Sequence, residues 1–107
     1  MEVTIKGTQG EGKTRLAEQI ARMHLQGKFT NVPLVDVDDV LQIGTGARLL
    51  TYTPDVALKK LKSLAPGIII WDIEAAHELS KARQLVNDYK LATGHNPLTI
   101  YVLPNHL

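Results

Sequence analysis

Glycine, lysine and threonine recur at a fixed spacing near the start of the chain, in the segment GTQGEGKT at residues 7–14. Four residues separate Gly7 from Gly12, and Lys13 and Thr14 follow directly. Glycines permit backbone turns that a Cβ would forbid, so several N–H groups can converge on one anion. A lysine at this position can reach the β and γ phosphates of a nucleotide, and a threonine hydroxyl can bind Mg²⁺. The pattern therefore predicts a phosphate-binding loop, called here the glycine loop.

The residues on either side of the glycine loop have the context that phosphate binding requires. EVTIK (Glu2 to Lys6) predicts a short strand, and a helix is expected from Lys13 to a C-terminal cap at Gly27. The positive N-terminal end of that helix would point at the bound anion. The alternative is an ordinary strand-to-helix turn that is rich in glycine. The predicted nucleotide-binding residues of this segment are Gly7, Gly10, Glu11, Gly12, Lys13, Thr14 and Arg15, and the predicted apolar positions of the helix are Leu16, Ala17, Ile20, Ala21, Met23 and Leu25.

Strand and helix patterns alternate along the rest of the chain. Two further helices are predicted, one starting at Thr53-Pro54-Asp55 and the other spanning about 75–93. Strands are predicted at VPLVDV (32–37), at IIIW (68–71), which should be central, and at LTIYVL (98–103). The order βαβαβαβ predicts one α/β domain over residues 1–107, an open and mostly parallel sheet of about four strands with flanking helices and right-handed crossovers. Ligands of such sheets bind beyond the carboxyl ends of the strands.

Composition excludes several classes of protein. Hydrophobic residues make up 44% of the chain and charged residues 21%, which is typical of a globular domain. The formal net charge of +1 gives no support for nucleic-acid binding, and the absence of cysteine excludes disulfides and zinc–thiolate sites. The longest strongly apolar run, GIIIW, is too short to cross a membrane. The sequence therefore predicts a cytoplasmic protein without a membrane partner.

With the glycine loop in this context, the chain resembles the P-loop NTPase superfamily. Members carry a second motif, in which an apolar strand ends in an aspartate that holds Mg²⁺, and IIIWDIE supplies Asp72 at that place. The resemblance implies that Thr14 and Asp72 hold Mg²⁺ beside a nucleoside triphosphate. The alternative role of Asp72 is to cap the following helix.

One branch of the superfamily inserts an extra strand between the loop strand and the aspartate strand and keeps a catalytic glutamate beside the aspartate. This chain is similar: Glu74 would activate the attacking water, and Asn105, which follows the last strand, would sense the γ-phosphate. In the family the glutamate follows the aspartate directly, whereas Ile73 intervenes here. In extended backbone that shift reverses the side that a residue faces. Glu74 would therefore reach the attacking water only if the strand has already turned into its loop. The alternative is that Glu74 is a first-turn acid of the next helix.

Two expected features have no clear place in the sequence. Hydrolysis usually needs a cation that stabilises the negative charge developing on the phosphate in the transition state. None of Arg15, Arg48 and Arg83 can be assigned that role, and each is interpreted as a solvated surface residue. In the resembling family this arginine often comes from a neighbouring subunit. Members also continue into a fifth strand, so the chain resembles a minimal version or a fragment. Its sheet edges could bind a protein partner or a second copy.

The sequence thus favours Mg²⁺-dependent binding of a nucleoside triphosphate, with slow or assembly-dependent hydrolysis in which Lys13 and Glu74 are catalytic. ATP is favoured because no N-K-x-D guanine motif is present. Such a protein resembles ATPases that bacteria and their phages use in assembly or nucleic-acid handling. Two alternatives stay open, a small-molecule or nucleotide kinase with Asp36 or Asp38 near the acceptor hydroxyl, and a nucleotide-binding module without turnover. The histidines His24, His77, His95 and His106 share no ligand spacing and are interpreted as structural or surface residues.

Overall fold

The computed structural model describes residues 2–8, 10–25, 46–63 and 68–107. These residues form an α/β structure in which three parallel strands pack between helices. The strands are β1 (Glu2–Gly7), β2 (Ile68–Asp72) and β3 (Leu98–Pro104). The helices are α1 (Lys13–Leu25), α2 (Gly46–Leu49), α3 (Pro54–Ser63) and α4 (Ala76–Thr93).

The described sheet has the order β1–β3–β2 and is parallel throughout. Glu2 pairs with Thr99 at one end of the β1–β3 ladder and Gly7 with Pro104 at the other. Strand β3 therefore lies between the glycine-loop strand β1 and the strand β2 that ends in Asp72. Among the described strands β3 is the central one. The sequence predicted that the IIIW strand would be central, but it forms β2, at the edge of the described sheet. The remaining strand candidate, 32–37, lies outside the described residues.

Both faces of the sheet are covered, which explains the continuously apolar strands. Alternate residues of β3 face opposite ways: Leu98, Ile100 and Val102 pack with α1, while Tyr101 and Leu103 belong to the core on the other face. That second core contains buried residues of α2, α3 and α4. Trp71, which was predicted to be a core residue, is fully buried there.

Helix α1 packs on the sheet through its smallest residues. Ala17 and Ala21 are fully buried, and Ile20 is partly buried against the same core. The prediction that Leu16 and Met23 share the apolar contact face is not met among the described residues, since their side chains are 46% and 39% exposed. Alanines allow the helix to approach the strands closely, and the larger side chains then lie beside the contact.

The other helices agree with the sequence in their main features. In α3 the Thr53 carbonyl accepts the Ala57 N–H at 2.8 Å, as expected of an N-cap residue. Helix α4 ends at Gly94, whose φ of 73° is the left-handed conformation of a glycine cap. The four-residue helix α2 was not predicted. No described helix combines the length and the apolar character that a membrane span needs.

Candidate functional site

The glycine loop joins β1 to α1 and takes backbone conformations that favour glycine. Gly10 has φ of 92° and Gly12 has φ of 83°. The Glu11 N–H donates to the Thr8 carbonyl at 3.2 Å and closes a turn that contains Gly10. The Gly12 carbonyl accepts the Leu16 N–H at 3.0 Å, the first hydrogen bond of α1. The predicted need for glycine is confirmed at these two positions.

At Gly7 the lack of a side chain matters for a different reason, the space that it leaves for neighbouring side chains. Its φ is not in the positive region, but a Cβ placed on it would lie 2.7 Å from Oε2 of Glu11 and 3.2 Å from Cδ of Lys13. The absence of a side chain at Gly7 therefore makes room for two charged side chains of the same loop. Gly7 itself is buried and lies beneath them.

The Lys13 side chain crosses the ends of two neighbouring strands. Its Nζ donates to the Gly7 carbonyl at 2.8 Å and to the Leu103 carbonyl at 2.9 Å. These bonds fix the ammonium at the carboxyl edge of the sheet, where β1 and β3 end side by side. A lysine ammonium has three N–H donors, so the third can donate to an anion in front of the loop.

Asp72 and Glu74 lie on the same side of the chain at the end of β2. Ile73 between them is 3% exposed, and its N–H donates to the Val102 carbonyl at 3.0 Å, so pairing with β3 continues past Asp72. Both carboxylate residues are exposed on either side of it. In extended backbone, residues two apart face the same way. Asp72 and Glu74 therefore both lie opposite the buried Ile73, which occupies the position of the resembling family's glutamate.

One cleft of about 870 Å³ collects these groups at the carboxyl ends of the strands. The loop residues Lys13 and Thr14 line it together with Asp72 and Glu74. This is the edge at which open α/β sheets bind ligands, and the volume is in the range of small-molecule sites. The full lining is Gly10, Glu11, Gly12, Lys13, Thr14, Arg15, Asp72, Ile73, Glu74, Val102, Pro104 and His106.

The chain matches no protein-family model, and no curated protein or solved structure shows a significant match to it. Any functional assignment therefore depends on the residues of the cleft and on their geometry.

The alternative helix-related roles of Asp72 and Glu74 do not fit the structure. Helix α4 begins at Ala76, and its N-cap residue is Ala75, which makes no side-chain cap hydrogen bond. Asp72 therefore does not cap α4. Glu74 precedes the N-cap residue, and the acid in the first turn is Glu78, whose Oε1 accepts the Glu74 N–H at 3.3 Å.

Asn105 contacts the glycine loop from the turn after β3. Its Nδ2 donates to Oγ1 of Thr8 at 3.0 Å, which links residues 97 positions apart. Its chain neighbours Pro104 and His106 line the cleft. Asn105 therefore lies at the glycine loop, and its contact with the γ-phosphate stays a prediction.

The arginines differ in their relation to the cleft. Arg15 lines it, while the Arg83 guanidinium lies over the Tyr101 ring, 5.5 Å from the ring centroid, and has a structural role. Arg48 is exposed on α2. Among the described residues Arg15 is thus the one arginine at the cleft. Asp36, Asp38 and Asp39 lie outside the described residues.

His106 lines the cleft, although the sequence did not indicate a role for it in ligand binding. It was interpreted as a surface or structural histidine because no second ligand stands at a metal-binding spacing. Its position in the turn after a parallel strand was the available signal, since such turns lie at the ligand-binding edge.

The cleft carries charges of both signs. Lys13 and Arg15 are the cations, and Glu11, Asp72 and Glu74 are the carboxylates. The described residues contain no group of three or more histidine, aspartate or glutamate side chains that could hold a metal ion. Mg²⁺ in phosphate sites is usually bound by one or two carboxylates together with substrate phosphates and water. The Thr14 hydroxyl and the Asp72 carboxylate fit that type of site.

Proposed function

We propose that this protein binds a Mg²⁺–nucleoside triphosphate, with ATP as the favoured nucleotide, in the cleft at the carboxyl ends of its strands. One observation carries the proposal: the glycine loop, Asp72 and Glu74 come from distant parts of the sequence and line the same cleft. Loop N–H groups and the start of α1 provide donors for phosphate oxygens. The described strand order is β1–β3–β2, the order that the resemblance to P-loop NTPases implies.

The charges of the cleft support a requirement for Mg²⁺. Three carboxylates and two cations line it, so a triphosphate without a metal ion would be repelled by the carboxylates. In the proposed complex Thr14 and Asp72 hold Mg²⁺, which neutralises part of the phosphate charge. Lys13, fixed by the Gly7 and Leu103 carbonyls, then contributes a further positive charge to the site.

We further propose that hydrolysis is slow. The Glu74 carboxylate accepts a proton from a water molecule while the water oxygen forms a bond to the γ-phosphorus. The bond from that phosphorus to the β–γ bridging oxygen breaks, giving ADP and phosphate. Apart from Arg15, no arginine among the described residues lines the cleft to stabilise the transition-state charge. Such a cation can be worth about 10³–10⁵ in rate, so its supply by a neighbouring subunit would strongly increase turnover.

Thermal unfolding with and without Mg²⁺·ATP, Mg²⁺·GTP and ADP tests binding. At about 100 times Kd the ligand should add roughly 2.7 kcal/mol to the free energy of unfolding. For a domain of this size that corresponds to a rise in Tm on the order of 10 °C. The ligand-induced rise should disappear in Lys13→Met, which keeps the side-chain stem beside Gly7. Lys59→Met, a change at an exposed lysine of α3, is the matched control.

The comparison must use the ligand-induced change in Tm rather than Tm itself, because Lys13→Met also removes two hydrogen bonds to carbonyls. No change in native Tm with any nucleotide at millimolar concentration would contradict the proposed function. Binding without release of phosphate would remove the hydrolysis step and favour the non-catalytic nucleotide-binding module. If phosphate is released, Glu74→Gln should reduce its rate without weakening nucleotide binding.

A further inference from the structure

Glu11 makes contacts within the glycine loop that an anion would have to disrupt. Its Oε2 accepts the Thr8 N–H at 3.2 Å and lies 2.7 Å from the position that a Cβ on Gly7 would have. The Glu11 N–H in turn donates to the Thr8 carbonyl. The main chain and the side chain of Glu11 thus both hydrogen-bond to Thr8, which holds the Glu11 carboxylate against the loop. Glu11 also lines the cleft.

The Thr8 N–H belongs to the glycine loop, whose backbone N–H groups are the proposed donors for phosphate oxygens. In a phosphate-binding loop such groups are the donors for phosphate oxygens. Here a carboxylate, which is also an oxygen anion, accepts that hydrogen bond. A nucleotide that used this donor would have to displace the Glu11 side chain and would bind near its negative charge.

We propose that Glu11 is an internal competitor for the phosphate site, a built-in carboxylate that lowers the affinity of the cleft for phosphate-containing ligands. This inference rests on the proposed function. It assigns Glu11 a role opposed to that of Lys13, although both side chains contact the space above Gly7. The competing explanation is that Glu11 only stabilises the shape of the loop, in which case its removal would weaken binding.

Glu11→Gln separates these explanations. The glutamine keeps the size of the side chain and an oxygen that can accept the Thr8 N–H, but it removes the charge. We expect Mg²⁺·ATP and pyrophosphate to bind about fivefold or more tightly to Glu11→Gln at low ionic strength, since charges a few ångströms apart interact appreciably even in water. The gain should diminish as salt is raised, because exposed charges are screened.

Glu18→Gln is the matched control. Glu18 is an exposed acid of α1 that does not line the cleft, so this change alters the net charge equally but should leave both affinities unchanged. Glu11→Asp is a second variant that keeps the charge on a shorter side chain. We expect its affinity to lie between those of the wild type and Glu11→Gln, and it provides a test if Glu11→Gln folds poorly.

Isothermal titration of each variant with Mg²⁺·ATP and with pyrophosphate gives distinguishable outcomes. The inference is supported if Glu11→Gln binds the probes more tightly than the wild type and Glu18→Gln binds them as the wild type does. It is also supported if Glu11→Gln binds measurably while the wild type and Glu18→Gln bind too weakly to measure. Equal or weaker binding by Glu11→Gln, with normal wild-type binding that Lys13→Met abolishes, overturns the inference and leaves the proposed function intact. If neither the wild type nor Glu11→Gln binds either probe, the inference and the proposed function are both wrong.

Discussion

Replacement of Gly12 by alanine tests whether the backbone of the glycine loop binds phosphate. Gly12 has φ of 83°, and no atom of the described residues lies within 4 Å of a Cβ placed on it. The substitution therefore meets no steric obstacle from neighbouring groups, and its cost comes from the backbone alone. Positive φ is a region that glycine adopts readily and alanine does not.

The size of the effect follows from that conformation. A left-handed backbone costs an L-residue with a Cβ roughly 1–2 kcal/mol. Gly12→Ala should therefore lower the free energy of unfolding by about that amount. At roughly 4–8 °C per kcal/mol for a domain of about this length, Tm should fall by on the order of 10 °C. Relaxation of the strain would move the N–H groups of the loop, and we expect Mg²⁺·ATP to bind at least about tenfold more weakly, the cost of about one hydrogen bond.

Gly94→Ala is a control with a closely matched backbone cost. Gly94 has φ of 73°, and its Cβ position is likewise free of atoms within 4 Å. Its N–H donates to the Lys90 carbonyl at 2.9 Å at the end of α4, and it does not line the cleft. This variant should lose a similar amount of stability but bind nucleotide as the wild type does.

Urea unfolding and calorimetric titration with Mg²⁺·ATP on the wild type and both variants provide the assay. The titrations are made at a temperature where all three proteins are folded. Equal nucleotide affinity in the two variants would refute the role of the loop backbone. If the free energy of unfolding of Gly12→Ala equals that of the wild type, Gly12 does not have the left-handed backbone conformation on which this prediction depends.

Three further predictions concern other parts of the molecule. Asp72→Asn should remove most of the Mg²⁺ dependence of ATP binding and leave metal-free binding unchanged or stronger, as titrations with and without Mg²⁺ would show. Burial, followed by the charge of the Glu2 carboxylate, raises the pKa of Tyr101 from 10.0 to about 12, against the opposing effect of Arg83. The folded state then holds the phenol proton more tightly, so the unfolding free energy should decrease between about pH 10 and 12, and less so in Tyr101→Phe. Thr99→Val should raise the unfolding free energy by roughly 1 kcal/mol in urea, because no described residue hydrogen-bonds to the fully buried Thr99 hydroxyl.

Local sequence signals predicted the elements that carry the site. The spacing of Gly7, Gly12 and Lys13 predicted a turn between a strand and a helix, and the structure has that turn. Apolar runs bounded by breakers predicted β2 and β3 close to their observed limits. These signals depend on residues close together in the chain, which explains why they could be interpreted without a structure.

Contacts between distant residues could not be predicted in the same way. Lys13 donates to the Leu103 carbonyl 90 positions away, a contact that depends on β1 and β3 being neighbours. The sequence left the side faced by Glu74 undecided, because nothing in it showed that Ile73 would stay paired with β3. In α1 the apolar periodicity did not show that Ala17 and Ala21 would make the closest contact and leave Leu16 largely exposed.

Nucleotide binding and hydrolysis place different demands on this cleft. Binding needs donors and a charge balance that Mg²⁺ can complete, and the described residues supply the loop N–H groups, Lys13, Thr14 and Asp72 for it. Hydrolysis also needs a group that stabilises the charge present only in the transition state. Groups that bind the substrate and the transition state equally well do not accelerate the reaction. Glu74 can accept a proton, but Arg15 is the one arginine of the described cleft, and it lies on the helix that follows the loop. A further cation would have to come from outside the described residues, so on this proposal turnover depends on a group that binding does not need.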